Sequence, residues 1–276
     1  MTHRQGQLCR EGPAKLTPYL VAPDVILGIL GDPALCPLGD LATVSRGVMT
    51  GANAFFFLSV AEARERGIDG QFLRQAQKSI RGVDRPVLGA ADADHRLVDV
   101  HEYVTAMDAS TADPVTADRV RQRLREDGFD ALATYIAEAE AAGHHTGRTC
   151  ARRAVWFDLG ALPAPEIFLP KLLRERMFPI RNRAQAVPSN AIDCLTARDG
   201  VDPDLLHGVL LSSIVQALME VWGRDEAGML QLMTYETETL PVPDVRRMAE
   251  SDCHAIRQAA LEVCADPASD AAQRQL

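Results

Sequence analysis

Aromatic residues make up only 5% of this 276-residue chain, and no Gly-Lys dipeptide occurs anywhere in it. Without that dipeptide there is no Walker-type phosphate loop. GxGxxG, GxSxG and HExxH are missing as well, which excludes the common dinucleotide fingerprint, the nucleophile elbow and the zinc-hydrolase helix. Six cysteines (Cys9, Cys36, Cys150, Cys194, Cys253 and Cys264) are dispersed with no CxxC pair. They read as reduced, mostly buried thiols of a cytoplasmic protein. The polar opening MTHRQGQLCREGPAKL has no apolar signal core, and no hydrophobic run approaches a membrane span. Internal repeats and low-complexity blocks are absent too.

What is present fits a globular chain of one large or two modest domains, with 47% hydrophobic and 24% charged residues. The net charge is −9, a poor total for a partner of nucleic acid, but its distribution is uneven. Residues 42–86 carry a net of +3 and residues 143–184 a net of +5, whereas 92–142 and 193–276 carry −7 and −9. Such alternation is able to place positive surface on one side of a fold and negative on the other.

Periodicity and turn chemistry predict an α+β fold with mixed and antiparallel strands, Gly/Pro-rich loops, a central helical segment and a long C-terminal helix. A short helix is predicted after Pro23, ending near Gly31. CPLGDLATVSRGV reads as a strand entering a glycine turn and NAFFFLSV as its partner, with Ser59 and Glu62 forming a capping box for the next helix. QFLRQAQKSIRG is ambiguous between strand and helix, and RLVDVHEYVTAM reads as a strand. Residues 116–143 read as two helices parted at Asp127-Gly128. CARRAVWFDLG, PEIFLP and SNAIDCLTA read as further strands. One long helix is expected after Pro203, then a short strand and Pro-rich exit, then a terminal helix. The division expected is a helical lead-in over 1–35, a main domain over 36–245 and a helical tail over 246–276.

No constellation of catalytic or metal-ligating side chains emerges. His101-Glu102, on a strand, would point to opposite faces, and His144-His145 makes no metal pattern. Asp92 and Asp94 fit a solvated turn, and Glu166 with Lys171 lacks the spacing of a nuclease metal site. What remains is a set of glycine-rich loops and arginines beside apolar strands. In RTCARRAVWFDLG a strand would send Arg152 and Arg153 to opposite faces, one to meet phosphate or a guanine edge and the other to brace the fold. KLLRERMFPIRNR adds Lys171, Arg174, Arg176, Arg181 and Arg183; scattered surface charge explains this segment equally well.

Four blocks, in order, resemble the TaqI-like C-terminal specificity domain of N-6 adenine DNA methyltransferases of restriction–modification type. PLGDLATVSRGVMTGANAFFFLS is similar to the family's opening strand and GxxTGxNxF loop. ARRAVWFDLG and EIFLPK are similar to its basic-aromatic block and the strand after it. LLHGVLLSSIVQALMEVWGRDEAGMLQLMTYETETLPVPD resembles its closing helix and exit. Departures are Ser212-Ser213 in the final helix, where an Asn-Ser is usual, and only Gly223 and Gly228 in the closing loop.

The resemblance implies a sequence-specific target-recognition module for double-stranded DNA. Gly47, Thr50, Gly51 and Asn53 carry over as loop residues. Arg152, Arg153, Lys171, Arg176 and Arg181 are the candidates for DNA contact, with Trp156 packing. No asparagine precedes a proline and no Asp-Pro-Pro occurs, so the chain is not expected to methylate alone. No cofactor is expected in it. S-adenosylmethionine is expected on a catalytic methyltransferase subunit or domain, with no membrane involved, and residues 18–30 offer a docking element for that partner. The alternative is a degenerate protein–protein interaction module, dominated by the acidic stretches, that has lost DNA binding.

Overall fold

Proline and glycine bound the first helix as expected: α1 (Asp24–Leu30) follows Pro23 and stops at Gly31. In the computed structural model the described residues are 22–80, 83–110, 113–162, 164–170, 172–173, 178–226 and 229–265. Residues 1–21 of the expected helical lead-in lie outside them. β1 (Leu35–Pro37) and β2 (Ala42–Arg46) come next. The stretch predicted as a second strand divides instead into a single helical turn, α2 (Asn53–Phe56), and a short strand, β3 (Phe57–Ser59). The amides of Phe55 and Phe56 both donate to Ala52 O, which closes the turn before the chain extends. Ser59 and Glu62 form the anticipated capping box of α3 (Val60–Glu65).

β4 (Leu73–Gln77), β5 (Val87–Leu88) and β6 (His95–Val98) follow. The strand predicted to run on through His101 stops at Val98. Asp99 Oδ1 accepts the His101 amide at 3.0 Å and starts helix α4 (His101–Ala109). Helices α5 (Ala117–Glu126) and α6 (Asp130–Ala141) part at Asp127-Gly128, as the pattern indicated. Then come β7 (Ile167–Pro170), β8 (Leu172–Leu173), β9 (Ile180–Asn182), β10 (Val187–Pro188) and β11 (Ile192–Ala197).

The long helix expected after Pro203 is two helices, α7 (Pro203–Leu211) and α8 (Ser213–Trp222), bent by 71°. Ser212 makes the break: its backbone is extended and its hydroxyl donates to Val209 O at 2.6 Å. The end of the chain supplies β12 (Arg224–Glu226), β13 (Met229–Gln231), α9 (Thr234–Glu238), β14 (Pro241–Pro243) and the terminal helix α10 (Glu250–Ala265).

The sheets are mixed, which gives the α+β class. One has the order β2-β11-β7-β9-β5, antiparallel except where β5 meets β9; another has the order β10-β4-β6-β3, with β10 and β4 parallel. β12-β13-β8 and β1-β14 form two small antiparallel sheets. Phe55, Phe56, Phe57, Phe72 and Phe157 pack with α5 and α6 on the β4-β6-β3 side. A second core joins β11 and β7 to α7, α8 and β14. A small third cluster around Phe168, Ile180 and Ile192 fills the other face of the five-stranded sheet. Cys150, Cys194 and Cys253 are buried thiols, as expected, while Cys36 and Cys264 are partly exposed.

Candidate nucleic-acid interface

β2 ends at Arg46, opposite Asp193 of β11, and the loop 47–53 leaves from there. Its first residues stay tied to the sheet: Gly47 N–H donates to Ile192 O at 2.9 Å and Val48 N–H to Pro188 O at 2.8 Å. A Cβ at Gly47 would stand 2.1 Å from Ser189 O, so only glycine allows this close passage. Met49 then rises to the surface, 53% exposed, and Thr50 turns back inside, 1% exposed. The Thr50 hydroxyl accepts the Ala52 amide at 3.1 Å and donates to Asn53 Oδ1 at 2.5 Å. That separation belongs to an O–H···O bond and is too short for an amide N–H donor. The Asn53 NH2 is therefore turned outward from the exposed start of α2. Gly51 between them has φ +81, and a Cβ there would meet Thr149 Cβ at 2.6 Å, which fixes the turn as glycine.

Beneath the loop the aromatic run is core. Phe55 lies 4.9 Å from Tyr135, ring to ring, and 4.7 Å from Trp156, and the Tyr135 hydroxyl donates to Phe55 O at 2.8 Å. Trp156 is buried and donates its indole N–H to Glu140 at 3.0 Å. Its packing role is as the sequence suggested.

The basic block beside it is not the strand that was expected. Cys150–Arg152 form a 3-10 turn, and residues up to Phe157 continue in turns and bends. Arg152 and Arg153 still diverge, through that turn rather than strand alternation. Arg152 is exposed, with no side-chain partner among the described residues. Arg153 points at the loop: Nη1 donates to Thr50 O at 2.8 Å and to Trp156 O at 3.2 Å, and Nη2 donates to Met49 O at 2.9 Å. The Cys150 thiol also donates to Thr50 O at 3.5 Å, and burial pushes that thiol's pKa up.

Four exposed cations with no ion-pair partner among the described residues lie on the segments that meet at this joint. Arg46 precedes Gly47, and Arg148 precedes the Thr149 that packs on Gly51. Arg152 ends the 3-10 turn. Lys78 enters through its own carbonyl, which accepts the Ser189 hydroxyl at 2.6 Å, while Ser189 bridges to Val48. Arg46 and Lys78 were not singled out from the sequence; the net +3 of their segment was the only pointer.

Of the remaining candidates, Arg181 sits inside the fold. It is 8% exposed, donates to Asp204 at 2.6 Å and to Glu166 O at 2.8 Å, and supports the α7 N-terminus rather than the surface around the loop. The two arginines on Asp204, Arg181 and Arg183, hold its carboxyl below the usual range against its burial. Lys171 and Arg176 lie outside the described residues. His101 begins a helix rather than lying on a strand, and pairs with Asp158 at 3.1 Å.

The family model for the C-terminal domain of type II methyltransferase M.Eco57I matches residues 15–275. No curated protein gives a significant match to the sequence. Among solved structures, the type IIG restriction endonuclease BpuSI is similar in fold, with a TM-score of 0.60 and 12% identity, over 90% of this chain and 28% of that one. The type IIL restriction–modification enzyme MmeI, solved in complex with DNA, gives a TM-score of 0.49 and 12% identity over 82% of this chain and 28% of that one. The chain thus spans little more than a quarter of either enzyme. With nearly its whole length matched, from the lead-in to the terminal helix, the chain belongs to the family of the C-terminal domain of type II methyltransferase M.Eco57I.

Proposed function

We propose that this chain is the DNA-recognition domain of an adenine-specific type II methyltransferase and works with a catalytic domain or subunit that binds S-adenosylmethionine. The observation that carries this reading is the braced loop 47–53 with Met49 and the Asn53 amide outward, and with exposed Arg46, Lys78, Arg148 and Arg152 on the segments that meet it. Cations free of protein carboxylates are available to phosphates, and phosphate contacts set register while groups carried on a rigid loop read base edges. A donor amide such as that of Asn53 suits an acceptor on a base edge or a phosphate oxygen. Family membership supports the methyltransferase context. The resemblance of the four sequence blocks supports adenine as the target. The lack of any Asn-Pro or Asp-Pro-Pro step supports assigning catalysis to another domain.

Selection of the purified chain against randomised duplexes tests the reading. An enriched short motif is expected, with affinity falling steeply as salt rises, and each alanine at Arg46, Lys78, Arg148 or Arg152 that removes a phosphate contact lowers the salt slope by about 0.9. No retention of any duplex at low salt sinks the proposal and leaves a protein–protein module in its place.

A further inference from the structure

Arg153 differs from its neighbours in what its charge touches. The side chain is half-buried, and among the described residues no carboxylate meets its Nη atoms. They are spent on three main-chain carbonyls, two of which, Met49 O and Thr50 O, belong to a segment more than a hundred residues earlier in the chain. Its guanidinium carbon lies 5.9 Å from the centre of the Phe56 ring, so the aromatic base of the loop also backs it. Loop carbonyls outside any helix or sheet ladder must find donors when they face inward. A planar fork that binds adjacent carbonyls fixes the peptide planes between them, and with those planes it fixes where the Thr50 hydroxyl and Asn53 stand.

We propose that Arg153 is a positioning residue for DNA recognition: it holds loop 47–53 in its binding shape and does not contact phosphate. The proposal rests on the recognition reading above and assigns different work to two adjacent arginines. Arg152 contributes charge to the surface, and Arg153 contributes order. A loop ordered before binding loses less conformational freedom on binding, so the brace adds affinity without adding a counterion-releasing contact.

The test compares Arg153→Ala, Arg153→Lys and Arg152→Ala in the full chain. One readout is amide hydrogen exchange across residues 47–53. The other is affinity for a labelled mixed-sequence duplex at several salt concentrations. For Arg153→Ala, faster exchange confined to the loop is expected, with affinity down by about tenfold and the salt slope unchanged. Arg153→Lys keeps the charge but not the fork, so it is expected to follow Arg153→Ala; it also serves if the alanine variant fails to fold. Arg152→Ala is expected to leave loop exchange alone and reduce the slope by about 0.9. A reduced slope in Arg153→Ala, with unaltered loop exchange and near-normal binding by Arg153→Lys, makes Arg153 a phosphate contact and overturns the proposal. If the unsubstituted chain retains no duplex, the recognition reading fails, and Arg153's role in recognition with it. Loop exchange still reports separately whether the brace exists.

Discussion

Asn53 stands where the loop turns into α2, with its carbonyl oxygen tied to Thr50 and its NH2 free. Aspartate at this position would keep the acceptor that Thr50 needs and would suit the first turn of a helix. It would also replace the outward donor with a carboxylate oxygen. Asn53→Asp is therefore expected to fold with unchanged stability and to bind duplex about tenfold or more weakly, the cost of losing one donor and facing phosphates with negative charge. Parallel denaturant melts and binding titrations check both halves, and equal affinity in the variant removes Asn53 from the interface. Gly47, Thr50, Gly51 and Asn53 were marked in the sequence by the family resemblance, and the structure gives Gly47, Thr50 and Gly51 local tasks in the backbone of the loop. The partner that completes the loop was not legible as such: Arg153 lies a hundred residues away, and nothing in the order of residues separates its inward role from Arg152's outward one.

Among the elements, α2 with the start of β3 is the base on which the interface stands. Phe55 is 1% exposed and sits between Tyr135 of α6 and Trp156. Phe55→Ala removes the ring common to all three segments, with an expected loss of about 3–5 kcal/mol in stability by urea unfolding. A loss below about 1 kcal/mol would contradict this central packing role. Element type was readable where periodicity ran long, as in α5, α6 and α10. Punctuation by proline, glycine and the Ser59–Glu62 box also placed α1 and α3 correctly. It was unreadable where apolar residues stood side by side. Three consecutive phenylalanines satisfy helix and strand alike, and Ala52 O decided for a helical turn by accepting two amides. In the same way Asp99 and Ser212 converted expected continuations into boundaries through hydrogen bonds made by their own side chains.

For the molecule as a whole, pH acts on stability through a buried group between α7 and the five-stranded sheet. Burial, assisted by nearby Arg181, holds His207 at about 4 against an ordinary 6.5. Its Nε2–H donates to Pro179 O at 3.0 Å, which favours the protonated ring but is outweighed by burial, so the folded chain keeps the ring neutral. Between pH 6.5 and 4 the unfolded chain binds a proton there that the folded chain refuses, and stability falls as pH drops across that window. The contribution is fully present above 6.5 and lost by 4, up to about 3 kcal/mol in all. The lowered carboxyls of Asp202, Asp204 and Asp244 act in a more acidic range, because their stabilising charge is lost only below the ordinary 3.8. His207→Gln keeps a donor for Pro179 O and does not titrate. Its unfolding free energy is expected to be flatter than the unsubstituted chain's between pH 6.5 and 4, and an identical pH profile would refute the assignment.

The joint between loop 47–53 and the Cys150–Arg153 turn also has a consequence in time. As a chain emerges from its N-terminus, Met49 and Thr50 are made long before Arg153, and their carbonyls lack this donor until helices α4, α5 and α6 have been made. A contact of that sequence separation comes late in folding, because the entropy of closing the intervening chain must be met first. The surface proposed to meet DNA is thus expected to take its final shape late, after contacts between nearer parts of the chain have formed.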